Sequence, residues 1–212
     1  IENSRCSFLG NTVEYNYQSG VKVSGKSTQD PYLLSTNKIE GNGGGTGIHL
    51  VNASAKIYNN LITKDESDGI KIAGASEVAI AKNNIYQNNG YGVKNTMKEK
   101  LISAVNNWWG NSTGPGGEGV GIGDKISDNV VYEPWSENKI GVGVTSNYLL
   151  NYVHAGKHDS ILIHYQNWNN PEGQLEVHII DEAGWFSAND LPYSIQLEEG
   201  IGASEFLYYD AP

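Results

Sequence analysis

This chain of 212 residues is short of cysteine, of long apolar runs and of helical periodicity, and each shortage excludes a class of protein. Cysteine occurs once, at Cys6, which rules out an intrachain disulfide framework. No apolar run approaches the roughly 18 residues that a membrane span needs, so membrane insertion is not expected. A hydrophobic period of 3.6 residues is also missing, which argues against long amphipathic helices. Glycine, by contrast, is abundant, with 26 residues.

Basic residues are almost absent from the last third of the chain. Lys157 is the only lysine or arginine among residues 141–212, which carry ten acidic residues, whereas residues 1–140 are close to neutral. This break in charge predicts two domains, 1–140 and 141–212. The formal net charge of −10 argues against nucleic acid as a partner.

The strongest pattern in the first domain is a repeat of asparagine at spacings of 26, 23, 23 and 23 residues. Its members are Asn11, Asn37, Asn60, Asn83 and Asn106. Two residues after each of them stands a large apolar residue, and a glycine later opens an alternating segment such as Gly47–Leu50. Alternation with period two predicts strands, and such a short unit buries its apolar face only by stacking on the next one. The first domain is therefore predicted to be a parallel β-solenoid of about four coils.

Stacking brings equivalent residues of successive units above one another, which predicts two columns. The asparagines form a ladder of side-chain amides that satisfies buried backbone groups at a corner. The glycines, including Gly20, Gly47, Gly69 and Gly92, occupy another corner, where we expect backbone angles that other residues avoid.

The closing part of the first domain carries a resemblance to a known group of proteins. The segments Asn106–Pro115, Gly123–Asp124 and Val131–Trp135 contain N-W-W-G, G-P, G-D and Y-x-P-W in that order. With the repeat, this resembles the right-handed parallel β-helix of NosD-like and pectate-lyase-like surface proteins, over residues 1 to about 136. The resemblance implies a right-handed solenoid but leaves the function open.

The two ends of the solenoid differ in sequence. Trp108, Trp109 and Trp135 are predicted to cap the last coil, because an aromatic cover stops the addition of further strands. No comparable cover precedes the first coil, which predicts either further coils before Ile1 or self-association through the open N-terminal coil.

The second domain shows no trace of the repeat. Its short alternating runs and turn residues predict a small antiparallel β-sandwich, immunoglobulin-like or jelly-roll-like. No cofactor is expected, although the acidic turn at Asp181 and Glu182 is a candidate calcium site.

Candidates for catalysis are few. Asp65 and Asp68 stand at one corner of the solenoid, and polysaccharide hydrolases use convergent carboxylates. However, no catalytic signature of a pectinase, pectate lyase or epimerase accompanies them. Asp65 also occupies a repeat position that other units fill with asparagine, so we favour a protein without catalytic activity.

Candidates for binding lie on the outer face. Alternation places Lys22, Lys71 and Lys94 outward as a stripe that an acidic glycan could contact, or as an ordinary solvated face. Asn52 and Asn111 begin sequons for N-glycosylation.

Together these features predict an extracellular or cell-surface protein with a structural or adhesive role. A filament or matrix subunit that contacts a polysaccharide fits best. The alternatives are a non-catalytic C-terminal part of a secreted polysaccharide lyase or hydrolase, and a carbohydrate-binding module.

Overall fold

The computed structural model describes residues 7–25, 31–146, 158–168, 173–177, 193–197 and 202–210. The chain divides into two compact units, Ile1–Ile140 and Gly141–Pro212. All regular structure in the described residues is β, and none of these residues forms a helix that could cross a membrane.

The first unit consists of three-stranded coils followed by a closing region. The coils are β1 (Ser7–Leu9), β2 (Thr12–Glu14) and β3 (Val21–Ser24); β4 (Tyr32–Ser35), β5 (Lys38–Glu40) and β6 (Ile48–Val51); β7 (Ser54–Tyr58), β8 (Leu61–Thr63) and β9 (Ile70–Ala73); and β10 (Glu77–Ala81), β11 (Asn84–Tyr86) and β12 (Tyr91–Asn95). The closing region contains β13 (Ile102–Ser103), β14 (Pro115–Gly117), β15 (Gly123–Ile126) and β16 (Val130–Val131).

Equivalent strands of successive coils pair in parallel and build three sheets. The first sheet has the order β1-β4-β7-β10-β13-β16, the second β11-β8-β5-β2 and the third β14-β15-β12-β9-β6-β3. In the second sheet Val13, Ile39, Ile62 and Ile85 stand directly above one another, which confirms the predicted apolar column. Parallel strands lie about 4.8 Å apart, so each coil adds that height to the solenoid.

A ladder of asparagine side chains runs along one corner of the solenoid. Each amide Nδ2 donates to the Oδ1 of the asparagine in the next coil. The four donor–acceptor distances are 3.1 Å for Asn11–Asn37, 3.0 Å for Asn37–Asn60, 2.9 Å for Asn60–Asn83 and 2.9 Å for Asn83–Asn107. Each Oδ1 also accepts the backbone N–H of the asparagine before it, at 2.9 Å in every step. The ladder therefore satisfies backbone donors that the corner would otherwise leave unpaired.

The last member of this ladder is Asn107, so the prediction of Asn106 was wrong. Asn106 is exposed, whereas Asn107 is fully buried. Asn106 instead continues a column of residues with left-handed backbone, φ between 54° and 64°, each directly before a ladder asparagine: Gly10, Thr36, Asn59, Lys82 and Asn106. One additional residue in the fourth coil shifts the register.

The same shift changes the role of the tryptophans. Trp109, not Trp108, lies in the core below Ile85 and is fully buried. Trp108 is half-buried and packs edge-on against Tyr86 on the outside, with ring centroids 5.0 Å apart, so it is not part of the inner cap. Trp135 packs against the core, and its Nε1 donates to the Ser112 carbonyl at 3.0 Å.

The glycine column has a different cause from the one predicted. Gly20, Gly47, Gly69 and Gly92 do not have positive φ. A Cβ at Gly69 would lie 2.8 Å from the Asn88 Nδ2 of the next coil, and one at Gly20 would lie 2.7 Å from the Asn42 Nδ2. These glycines are required because a polar side chain of the following coil packs directly against their Cα.

The second unit contains only antiparallel pairs among its described residues. Strands β17 (Val142–Ser146), β18 (His158–Asn167) and β21 (Gly202–Asp210) form one sheet, with β18 in the middle. Strands β19 (Gly173–Val177) and β20 (Tyr193–Leu197) form a separate pair.

Candidate functional site

The outer face of the third sheet carries one basic or imidazole side chain per coil. Lys22 pairs with His49, His49 with Lys71, and Lys71 with Lys94, in exact register on β3, β6, β9 and β12. We call these four residues the basic column. Their neighbours along each strand, such as Ile48 and Leu50, point inward and are fully buried, so the column itself faces outward.

The side chains beside the basic column are small. Two residues further along the strands, Ser24, Val51 and Ala73 stand in register on the same face. On the other side lie the glycines of the glycine column. Lys22 is exposed beside these neighbours, whereas Lys71 and Lys94 are half-buried.

His49 is the one member of the basic column that is uncharged at neutral pH. Burial lowers the pKa of its imidazole, the charges of Lys71 and Lys22 lower it further, and only Asp68 opposes them. At neutral pH the lysines therefore supply the positive charges of the column, Lys22 exposed and Lys71 and Lys94 half-buried, and His49 adds a further charge in acid.

One acidic and one aromatic residue adjoin the C-terminal end of the column. Lys94 Nζ lies 3.7 Å from Asp68 Oδ2 and 5.2 Å from the centre of the Tyr91 ring. Asp68 is buried, and its Oδ1 accepts the Tyr91 backbone N–H at 3.0 Å. Asp68 is thus an acceptor that fixes the corner before β12, and it also lies within reach of Lys94.

Asp65 belongs to a second ladder at another corner of the solenoid. Asn16 Nδ2 donates to Asn42 Oδ1 at 2.9 Å, and Asn42 Nδ2 donates to Asp65 Oδ1 at 2.8 Å. Further along, Asn88 Nδ2 donates to Asp124 Oδ2 at 2.8 Å. The sequence repeat had suggested that Asp65 shares a column with asparagines, and the hydrogen bonds show what that column does.

Asp65 and Asp68 are buried and bonded to backbone groups of their own solenoid. Asp65 is fully buried, and its Oδ1 accepts the Asn42 backbone N–H at 2.9 Å. Burial raises the pKa of Asp65 to about 6, against the lowering effect of the bonds from Asn42. A general acid or nucleophile must reach the scissile bond of its substrate, whereas Asp65 is fully buried and only 5% of the Asp68 side chain is exposed.

The two sequons lie at surface turns. Asn52 is exposed, has left-handed backbone, and accepts the Ala75 N–H at its Oδ1 at 2.8 Å. Asn111 is half-buried, and its Oδ1 accepts from the backbone N–H and the hydroxyl of Thr113 at 3.0 and 2.8 Å.

The candidate calcium ligands Asp181 and Glu182 lie outside the described residues. Within the described part of the chain, no group of three or more His, Cys, Asp and Glu side chains is arranged to hold a metal ion.

The comparison with known proteins agrees with the geometry of the first unit. The family model described as the right-handed beta helix region matches residues 1–173, and the chain belongs to this family. No curated protein and no solved structure matches the chain. The family defines a right-handed parallel solenoid, a fold compatible with surface or structural proteins and with proteins that act on polysaccharides.

Proposed function

We propose that this chain is a non-catalytic structural or adhesive protein of the cell surface or the extracellular matrix, and that its solenoid binds an acidic polysaccharide along the basic column. The observation that carries the proposal is the register of Lys22, His49, Lys71 and Lys94 on the outer face of one sheet. A linear polymer with regularly spaced carboxylates meets one such side chain in every coil that it crosses.

The energetics of such a contact depend on the number of charges. A single exposed ion pair contributes only about 0.2–1 kcal/mol, so one lysine would not hold a ligand. Several pairs along one polymer act together, because after the first contact the others form within the same complex. Lys22 and Lys71 supply such pairs at neutral pH, Lys94 does so in competition with Asp68, and His49 joins them in acid. Binding of this kind weakens with salt, since the charges are exposed and screened.

The buried positions of Asp65 and Asp68 support the absence of catalysis. The resemblance of the closing region to NosD-like and pectate-lyase-like proteins, and the antiparallel sandwich of residues 141–212, are parts of the same proposal. The alternatives remain a non-catalytic part of a larger polysaccharide lyase or hydrolase, and a carbohydrate-binding module. Release of unsaturated or reducing ends from a polyuronate by the purified chain would contradict the non-catalytic assignment.

Self-association through the first coil is a second candidate property. Among the described residues, β1, β2 and β3 are the terminal strands of their sheets, and Asn11 and Asn16 are the first members of the two ladders. A second copy stacked on this coil would continue the sheets and ladders. Sedimentation over a range of dilutions tests this, and a monomer at every concentration contradicts it.

The binding proposal is tested by the affinity for a polyuronate and for a neutral glucan at two salt concentrations. Lys71→Gln should weaken polyuronate binding about two- to five-fold, the share of one exposed ion pair. Lys56→Gln is the matched control, because Lys56 is exposed on β7 in a different sheet. Equal losses in both variants, or equal binding of the neutral polymer, would refute the site.

A further inference from the structure

The second ladder has a direction, and every member needs a donor and an acceptor to continue it. Asn88 shows the complete pattern: its Oδ1 accepts the Asp65 backbone N–H at 3.1 Å, while its Nδ2 donates to Asp124 and to the Ile62 carbonyl at 3.3 Å. An acceptor-only side chain fits at the end of this ladder, where Asp124 Oδ2 receives both the N–H and the Nδ2 of Asn88. It does not fit in the middle.

Asp65 occupies such a middle position. Its Oδ1 serves as the acceptor for Asn42, but its Oδ2 is buried and has no hydrogen-bond partner. This oxygen stands where the neighbouring coils place an amide nitrogen. Ile39 pairs in register with Ile62, so the repeat places the Ile39 carbonyl beside Asp65 as Ile62 lies beside Asn88. The groups that face Oδ2 along the ladder are therefore acceptors.

An ionised carboxylate would be poorly compensated at this position. Buried charges need a counter-charge or donors. Glu40, on the adjacent strand β5, adds a repulsive negative charge, and the lysines near it are its own partners: Lys38 at 2.8 Å and Lys64 at 2.7 Å. The other ionisable groups of this corner are also acidic: Glu66 and Asp68, the latter beside Lys94.

We propose that in mildly acidic solution Asp65 is held as the neutral acid in the folded solenoid, where its Oδ2–H replaces the amide N–H of the other ladder side chains, and that loss of this proton makes the solenoid's stability sensitive to pH. The buried, unpartnered Oδ2 within a directional ladder carries the proposal. Gly47, directly before strand β6, packs against this oxygen: a Cβ at Gly47 would lie 2.2 Å from Asp65 Oδ2.

The direction of the pH effect follows from the two protonation states. In the folded chain Asp65 holds its proton up to about pH 6, while an unfolded aspartic acid loses it near 3.8. The folded chain therefore binds more protons between these values, and stability falls as the pH rises through this window. Below about pH 3.8 the protonated Asp65 makes its full contribution to the free energy of unfolding, and above about pH 6 that contribution is lost and the stability no longer changes with the titration of Asp65.

Asp65→Asn tests the inference, because asparagine supplies the missing donor at every pH and already fills this position in neighbouring coils. The variant and the wild type should melt at similar temperatures at pH 3.5. The melting temperature of the variant should rise above that of the wild type between pH 4 and 6.5, and the difference should stay level at higher pH. Asp128→Asn, at an exposed position, is the control and should show no such pH-dependent difference.

The carboxyl carbon of Asp65 in the wild type gives an independent reading by NMR. Its chemical shift should report a neutral acid at pH 5 and titrate near pH 6. An ionised carboxylate at pH 5, or a variant that is less stable than the wild type at pH 7.5, would overturn the inference. Both measurements are made without a polysaccharide, so their outcome is separate from that of the binding proposal.

Discussion

Replacement of Asn83 by leucine tests whether the first ladder holds the coils together. Asn83 lies in the middle of the ladder and is fully buried. Its Oδ1 accepts both the N–H and the Nδ2 of Asn60, and its Nδ2 donates to the carbonyls of Ile57 and Ala81 and to Asn107. Leucine keeps the branched shape but removes every one of these hydrogen-bonding groups.

The magnitude follows from the groups that lose a partner. The Asn60 Nδ2 keeps the Leu34 and Tyr58 carbonyls as acceptors, so it is not stranded. The Asn60 backbone N–H and the Ile57 carbonyl lose a buried bond, and the Ala81 carbonyl loses a partly buried one. A buried group without its partner costs about 1–3 kcal/mol. We therefore expect Asn83→Leu to lower the free energy of unfolding by about 2–6 kcal/mol, the sum for the two fully buried groups.

Urea unfolding followed by circular dichroism, together with melting temperature, measures this effect. Asn89→Leu is the matched control, because Asn89 is exposed in the same coil and surface substitutions usually change stability by less than about 0.5 kcal/mol. If both variants lose the same stability, the ladder does not contribute as its geometry indicates, and the reasoning from unpaired buried groups fails for this protein.

Three other predictions concern the ladder end, the glycine column and the basic column. Asn107→Leu should lower the free energy of unfolding by about 1–3 kcal/mol or more, whereas Asn106→Gly should melt near the wild-type temperature because glycine accepts the left-handed backbone. Equal effects of the two variants would contradict the placement of Asn107, rather than Asn106, in the ladder. Gly47→Ala should destabilise by about 1–3 kcal/mol, since its Cβ would lie 2.2 Å from a ladder carboxylate oxygen, while Gly141→Ala, with open space, should not. Polyuronate affinity should rise as the pH falls through the lowered pKa of His49, and His49→Gln should remove that rise; an unchanged pH profile in the variant contradicts it.

The repeat in the sequence was sufficient to predict the solenoid. Apolar residues, asparagines and glycines recur at a common spacing, and strands with alternating inward residues stack only in a register that superposes them. The column of Val13, Ile39 and Ile62 and the outward direction of Lys22 and Lys71 follow from that alone. The antiparallel strands of the second unit were also visible as alternating runs, while their packing into a sandwich stays a prediction.

The error at the last coil had a trace in the sequence. An apolar residue stands three positions before each of the first four ladder asparagines: Phe8, Leu34, Ile57 and Ile80. With Asn106 as the fifth member, the equivalent position is Ser103, which is polar. With Asn107, the column contains Ala104, which is fully buried, and Trp109 takes the next inward place. The spacing between the last two ladder asparagines is 24 residues instead of 23, and a search for a fixed period misses such a change. The polar Ser103 in an apolar column was the sign of it in the sequence.

The sequence by itself determined the period, the strands and the residues that face inward, because these depend on local alternation and on a unit too small to bury its own apolar face. Only the tertiary structure decided what each polar residue does. The glycines are needed for the close approach of a side chain from the following coil, and the unpartnered oxygen of Asp65 exists only because an acid stands in a ladder of amides. Both depend on which atoms of neighbouring coils meet in the interior, about 23 residues apart along the chain, and no local pattern contains that information.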